Sequence, residues 1–445
     1  MLIRYNVSNF KSIGRTVELN MLTDRDTTDD RFIREIETKA GKWKILQRSG
    51  IFGPNASGKS SLIESLAFAK AFIIKGRRSN TGTGVNQFKG KINGLGSVST
   101  FQFIFYWKKE VYDYGFSIDT DRVHDEWLLR LSEQDFEEMF VRKTKKNGIT
   151  KVRVGDLFAK PGSQERAIIN LLSETLQRRQ RNQLFLNKLS ENGVRDAANL
   201  LLWFQCQQFV FPQTKAQALP LRIKNNQKFQ KFIESALRRL DTGISAVTTS
   251  DEYLSFEELE KKMSLPKKIV EDIKAERAGA LAINDDFFIF IENNDKQIDM
   301  IKISFTHPLG MDNVDFDLED ESDGTRRLLD LLPMLFFIGK RKVGSYYVDE
   351  LDRSLHTKLV KSFLDDFIKL SQGGVNQIFF TAHDVNLINL KYFRKEEILF
   401  IEKNTYGESR LYSLSDFIIN ENENVLKSYL SGRFGAVPII DESSR

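Results

Sequence analysis

The residues Gly53-Pro54-Asn55-Ala56-Ser57-Gly58-Lys59-Ser60 have the types and spacing of a phosphate-binding loop. In such a loop glycines let backbone N–H groups close around phosphate oxygens, a lysine reaches the β- and γ-phosphates, and the next hydroxyl can ligate Mg²⁺. Lys59 and Ser60 are those two residues, and Ser61 follows them into a helix whose positive end would face the phosphates. Tyr346-Tyr347-Val348-Asp349-Glu350 is an apolar run ending in two acids. Beside a phosphate loop that pattern gives Asp349 to Mg²⁺ and Glu350 to the attacking water, as its orienter or base. Gln377-Ile-Phe-Phe-Thr381-Ala-His383 is a buried run whose closing histidine could contact a γ-phosphate or polarise the water. A fourth motif, Glu321-Ser322-Asp323-Gly324-Thr325, opens a helix and so offers free N–H groups and a hydroxyl to an anion. A plain N-cap by Ser322 or Thr325 explains it equally well on local grounds. The chemistry expected is binding of ATP with Mg²⁺ and its hydrolysis to ADP and phosphate, with Lys59, Glu350 and His383 as the catalytic groups.

Elements of two kinds must position these residues. Residues 3–9 and 16–21 alternate and could pair, and residues 101–107, 111–118 and 126–131 are short aromatic and β-branched runs. They predict an antiparallel layer. Residues 45–52 read as a strand running into the loop, and 62–71 as the helix after it. From about 163 to 283 the apolar spacing turns helical, as in Ile168, Leu171, Leu172 and Leu176, or Phe229, Phe232, Ile233, Leu237 and Leu240. Without sustained heptads this is a compact insertion rather than a coiled-coil arm. The last third alternates again: strands at 287–292, 300–305, 345–348, 377–381 and 398–402, helices at 326–338 and 357–370. That order predicts a parallel sheet covered on both faces. Three segments follow: 1–160 and 285–445 as two parts of one split nucleotide-binding domain, and 161–284 as the helical insertion.

Bulk properties set limits. The chain has 445 residues, enough for two or three domains, with 41% hydrophobic and 29% charged residues and 35 Phe, a composition for packed cores. The net charge of +5 permits contact with nucleic acid without arguing for it. A single cysteine, Cys206, excludes an intramolecular disulfide, suits a reducing cytoplasm and reads as a small core residue. No apolar stretch approaches the roughly 20 residues of a membrane span, and the longest, 331–338, contains Pro333 and reads as a buried helix. His124 and His307 read as structural. The acid-rich stretch 312–323 reads as a solvated loop, with a metal-dependent nuclease site as its alternative. Basic runs at 75–78, 142–146 and 178–181 read as solvated faces, with phosphate contact as theirs.

The order phosphate loop, Ser-x-Gly-Thr, Asp349-Glu350, Asp352-x-Ser354-Leu355-His356 and strand-end His383 resembles ABC-type ATPases of the RecF and SMC kind. The opening Val7-Ser8-Asn9-Phe10-Lys11-Ser12 resembles that family's first strand and loop. The ending Tyr429-Leu430-Ser431-Gly432-Arg433-Phe434-Gly435-Ala436-Val437-Pro438 is similar to stand-alone members of bacterial phage-defence loci, of the RloA, AbiL and PtuA kind. The resemblance implies an α/β fold, an ABC-type P-loop head with an N-terminal antiparallel β layer. It implies a head-to-tail homodimer or larger homo-oligomer in which Ser322 and Gly324 of one subunit clamp the γ-phosphate held by the other. Asp352 and Ser354 would link the two sites. The usual Leu-Ser-Gly-Gly-Gln signature stands here as Glu-Ser-Asp-Gly-Thr, and its Q-loop glutamine could be Gln205, Gln207, Gln208 or Gln213.

Two functions are expected from this. The first is an ATP-driven sensor that regulates a separate effector, a nuclease, in antiphage defence. The second is a RecF-type repair or replication ATPase acting on DNA itself, with salt-sensitive binding.

Overall fold

The computed structural model describes residues 1–23, 32–39, 41–77, 81–90, 96–133, 135–145, 147–156, 158–179, 181–216, 218–255, 257–258, 279–282, 287–291, 298–340, 343–420 and 423–438. They form two compact units, one of residues 1–211, 341–352 and 371–445, the other of 212–340 and 353–370.

Two large sheets dominate the first unit. One is antiparallel and seven-stranded, built from β1 (Leu2–Ser8), β2 (Val17–Asn20), β6 (Ser99–Trp107), β7 (Glu110–Ile118), β8 (Val123–Leu131), β9 (Phe136–Thr144) and β10 (Thr150–Val154) in the order β10-β9-β8-β7-β6-β1-β2. The alternation in β6 sends Phe101, Phe103 and Phe105 to one face. There they meet α1 (Lys59–Lys75) and α4 (Arg195–Gln205): Phe68 lies 5.4 Å from Phe101, and Phe105 stacks on Trp203 at 4.0 Å between ring centres. Strands β3 (Ile33–Thr38) and β4 (Gly41–Leu46) form a separate hairpin. The segment 45–52, read as one strand, is therefore two.

The other sheet comprises β11 (Gln207–Val210), β17 (Val343–Val348), β18 (Val375–Ala382), β5 (Arg48–Phe52), β19 (Ile398–Lys403) and β20 (Ser409–Ser413), in that order. All neighbours are parallel except the edge strand β20. Its central strands are buried along nearly their whole length, as expected where both faces of a parallel sheet are covered. Gln377 of β18 ties the two sheets together, accepting from Leu2 N at 2.5 Å and donating to Leu2 O and Leu46 O at 2.9 and 3.0 Å. Under the start of β5, fully buried Arg48 pairs with fully buried Glu397 at 3.1 Å and donates to the Tyr392 carbonyl.

Helices α5 (Leu219–Asn225), α6 (Gln227–Arg239), α7 (Asp323–Ile338) and α8 (Thr357–Leu370) belong to the second unit. So does a sheet of β12 (Ala246–Leu254), β15 (Ile298–Leu309), β14 (Phe287–Ile291) and β13 (Gly279–Ala282), with β16 (Asp312–Phe316) on β15. Phe229 and Phe232 of α6 pack on Phe336 of α7 at 4.9 and 5.5 Å. Pro333 lies inside α7, in the stretch read as a buried helix.

The units are cut differently from the three segments read in the sequence. Helices α2 (Gln164–Arg179), α3 (Phe185–Glu191) and α4 belong to the first unit, since Trp203 and Phe204 close its aromatic core. Within the segment read as helical, Ala246–Leu254 is a strand paired antiparallel along its whole length with β15. Its partner lies beyond residues 259–278, so local spacing carried no sign of it.

Candidate functional site

Parallel pairing builds the site. Phe52 of β5 faces Ala382 of β18, and Val348 of β17 faces Phe380 of β18. All three strands therefore end at one edge, where the chain continues as Gly53, as Asp349-Glu350 and as His383. Three segments far apart in sequence meet because the sheet aligns their carboxyl ends.

The loop itself is tightly enclosed. A Cβ on Gly53 would lie 2.1 Å from the Ile401 carbonyl oxygen, and one on Gly58 2.1 Å from Ser409 Oγ, so neither position takes a side chain. Gly58 also has φ +113° at the N-cap of α1. Asn55, Ala56 and Ser60 are exposed, Pro54 and Ser61 half-buried, and Gly53, Ser57 and Lys59 buried. Lys59 Nζ donates to Gly53 O at 2.7 Å and Pro54 O at 3.0 Å. Burial lowers its pKa, opposed by the charges of Asp349, Asp352 and Glu350. An ammonium partly stripped of water beside three carboxylates suits exchange of those carbonyls for phosphate oxygens.

The acids are held from β18. Thr381 Oγ1 donates to Asp349 Oδ1 at 2.6 Å and accepts from Glu350 N at 2.8 Å. Glu350 has φ +50°, a left-handed conformation that bulky residues avoid, and its carboxylate lies 3.9 Å from His383 Nε2. Asp352 Oδ2 accepts from His383 N at 2.8 Å and Asp384 N at 2.6 Å, which fixes the turn carrying the histidine. Lys59, Asp349, Glu350, Asp352 and His383 thus share one locality. A cleft of about 790 Å³ opens beside it, lined among others by Gly53, Ser57, His383, Glu402, Tyr429 and Pro438. Two oxygens in the site, Ser57 Oγ and Asp352 Oδ1, are buried without a hydrogen-bond partner. Donor-rich loop, buried lysine and buried carboxylate together fit a nucleotide phosphate chain with its divalent cation.

Ser322 and Gly324 lie in the second unit. Ser322 caps α7, accepting from Thr325 N at 3.1 Å, and is exposed. A Cβ on Gly324 would lie 2.8 Å from the Ser354 carbonyl oxygen. The cap reading of this motif is therefore correct as local structure, and the exposed helix end is compatible with an anion as well.

Several other readings change. Gln207 drops out as Q-loop candidate, because its amide accepts from Tyr347 OH at 3.0 Å and donates to Trp203 O at 3.1 Å in the buried layer. Arg142, read as part of a solvated basic run, is fully buried in β9 and lies 3.5 Å from buried Glu126. Its strand alternation points it inward, which a count of charges along the run conceals. Cys206 is half-buried at the C-cap of α4 rather than in a core. Part of the acidic stretch forms exposed β16, and among the described residues no cluster of acids, cysteines or histidines has metal-ligand geometry. His124 and His307 bind Asp119 at 2.6 Å and Glu321 at 2.7 Å, as structural residues do. Sequence reasoning gave no role to Thr381 or Ser409. A threonine just before a strand-end histidine was the only available signal for the first, and Ser409 left none.

No helix among the described residues is long and apolar enough to cross a membrane. In comparisons with known proteins, no curated protein matches the chain. Among solved structures it resembles an SMC head bound to the C-winged helix domain of ScpA, at 14% identity and a TM-score of 0.43, covering 93% of this chain and 97% of that one. An SMC head domain from Thermotoga maritima matches at 13% identity and a TM-score of 0.35, with 93% and 98% covered. An SMC head with an extended coiled coil, bound to the C-terminal domain of ScpA and derived from Pyrococcus furiosus, matches at 13% identity and 0.41, with 97% and 99% covered. The motif order and the strand-end site resemble those of ABC-type P-loop ATPase heads of the RecF and SMC kind. Residues 49–389 match the family model described as "AAA domain, putative AbiEii toxin, Type IV TA system", and the chain belongs to that family.

Proposed function

We propose that the chain binds ATP at Gly53–Ser61 and hydrolyses it, and that ATP draws two copies into a head-to-tail dimer whose formation regulates a separate effector, a nuclease, in antiphage defence. One observation carries the catalytic part: Lys59, Asp349, Glu350 and His383 gather at the ends of three adjacent parallel strands. Ser60 and Asp349 would hold Mg²⁺, which when bound neutralises charge on the phosphates. Lys59 binds the β- and γ-phosphates. Glu350 orients the attacking water and takes its proton, and His383, beside Glu350, donates a hydrogen bond to the γ-phosphate or the water. Thr381 keeps both acids in place.

For the dimer, Ser322 and Gly324 of one protomer would complete the γ-phosphate site of the other, with Asp352 linking the two. ATP then favours closure because it contacts both halves only there. The family's description names a toxin–antitoxin system, which supports a two-component defence role. Size measurement of the purified chain with ATP, ADP and no nucleotide tests this: dimer with ATP alone supports it, and a size indifferent to nucleotide refutes it.

Direct action on DNA is the second reading. A Cβ on Gly148 would lie 3.8 Å from both Arg122 Nη1 and Arg181 Nη2, so two guanidiniums converge on one turn. DNA-stimulated, salt-sensitive hydrolysis would favour it.

A further inference from the structure

Ser409 opens β20 and is 2% exposed. Its hydroxyl lies 2.7 Å from the Ser57 carbonyl oxygen and 2.8 Å from the Ser12 hydroxyl. A serine hydroxyl has one proton to give, and a carbonyl can only accept. Ser409 is the donor in both contacts, so its single proton is shared between the Ser57 carbonyl and the Ser12 hydroxyl. The same hairpin grips the N-terminal loop twice more, through Ser409 N to Ser12 O at 2.8 Å and through Glu408, which accepts from Arg15 N at 2.7 Å.

The Ser57 carbonyl shares its peptide with the Gly58 N–H. That peptide is trans and planar, so its C=O and N–H point in opposite directions. Holding the carbonyl toward the hairpin turns the Gly58 N–H away from it, the orientation in which a loop offers a donor to phosphate. The fit is close, since a Cβ on Gly58 would lie 2.1 Å from Ser409 Oγ and 2.7 Å from Ser12 Oγ. Glycine is required at 58 by its φ of +113° and again by this contact.

We propose that Ser409 is a positioning residue of the nucleotide site: it holds the 57–58 peptide so that the Gly58 N–H is free for a phosphate oxygen, with the Ser12 hydroxyl competing for the same proton. This rests on the reading that the loop binds ATP. The test is titration of the full chain with a fluorescent ATP analogue and Mg²⁺, together with melting of each variant without nucleotide. Ser409→Ala is expected to bind about tenfold more weakly, since it strands a buried carbonyl, and Ser12→Ala to bind no more weakly than the unaltered chain, since it leaves the Ser409 proton to Ser57. The double variant should bind no more weakly than Ser409→Ala, because Ser12 acts through Ser409. Ser409→Cys, nearly the same size with a poorer donor, should fall between, and it decides the matter if the alanine variant does not fold. Unchanged affinity in a folded Ser409 variant, with or without a lower melting temperature, overturns the proposal while leaving the ATP reading intact. Failure of the unaltered chain to bind ATP removes both.

Discussion

The two compact units handle their anion-directed residues in opposite ways. In the first, the groups come from three strands and hold one another: Thr381 on Asp349, Asp352 on the His383 turn, Lys59 on the loop carbonyls, Ser409 on Ser57. In the second, Ser322 caps its own helix and Asp323 pairs with Arg326 of that helix at 2.8 Å, while Gly324 packs against the Ser354 carbonyl. A site assembled by a sheet fails as a unit when one member goes. A one-turn motif survives most changes as structure and matters only for what it meets.

Substitutions in the two regions should therefore separate chemistry from assembly. Glu350→Gln should lower phosphate release by roughly a hundredfold to ten-thousandfold while ATP still binds, measured by single-turnover hydrolysis. Normal turnover would remove Glu350 from the mechanism. Lys59→Ala should weaken ATP binding by about a hundredfold in calorimetric titration, and an undiminished affinity would end the phosphate-loop assignment. In the second unit, Ser322→Arg should abolish ATP-dependent dimerisation in light scattering while the monomer still folds. ATP-driven closure in that variant would show that the signature does not face the nucleotide. Ser322→Ala should cost about 1 kcal/mol of stability in denaturant unfolding, the usual loss of an N-cap. No change there would mean that the exposed cap contributes nothing.

How legible all this was in sequence follows from the same contrast. The loop, the two acids and the helix opening at Ser322 are contiguous patterns, and each could be read where it stands. Strands with strict alternation, such as Ser99–Trp107, or with buried continuity, such as Val343–Val348, could be read as well. What stayed hidden depends on distant partners. Ala246–Leu254 is a strand because β15 pairs with it, and Arg142 is buried because Glu126 waits on the neighbouring strand. Ser409 reaches the phosphate loop only through a hairpin at the far end of the chain, and no spacing rule connects it to Gly58.

The most direct test of the central claim is phosphate release from ATP and Mg²⁺ by the purified chain beside its Glu350→Gln variant. Steady release by the chain, with a loss of at least about a hundredfold in the variant, is the result expected from a water-activating carboxylate at this site. Equal release by the two, or none from a chain that binds ATP, would contradict it.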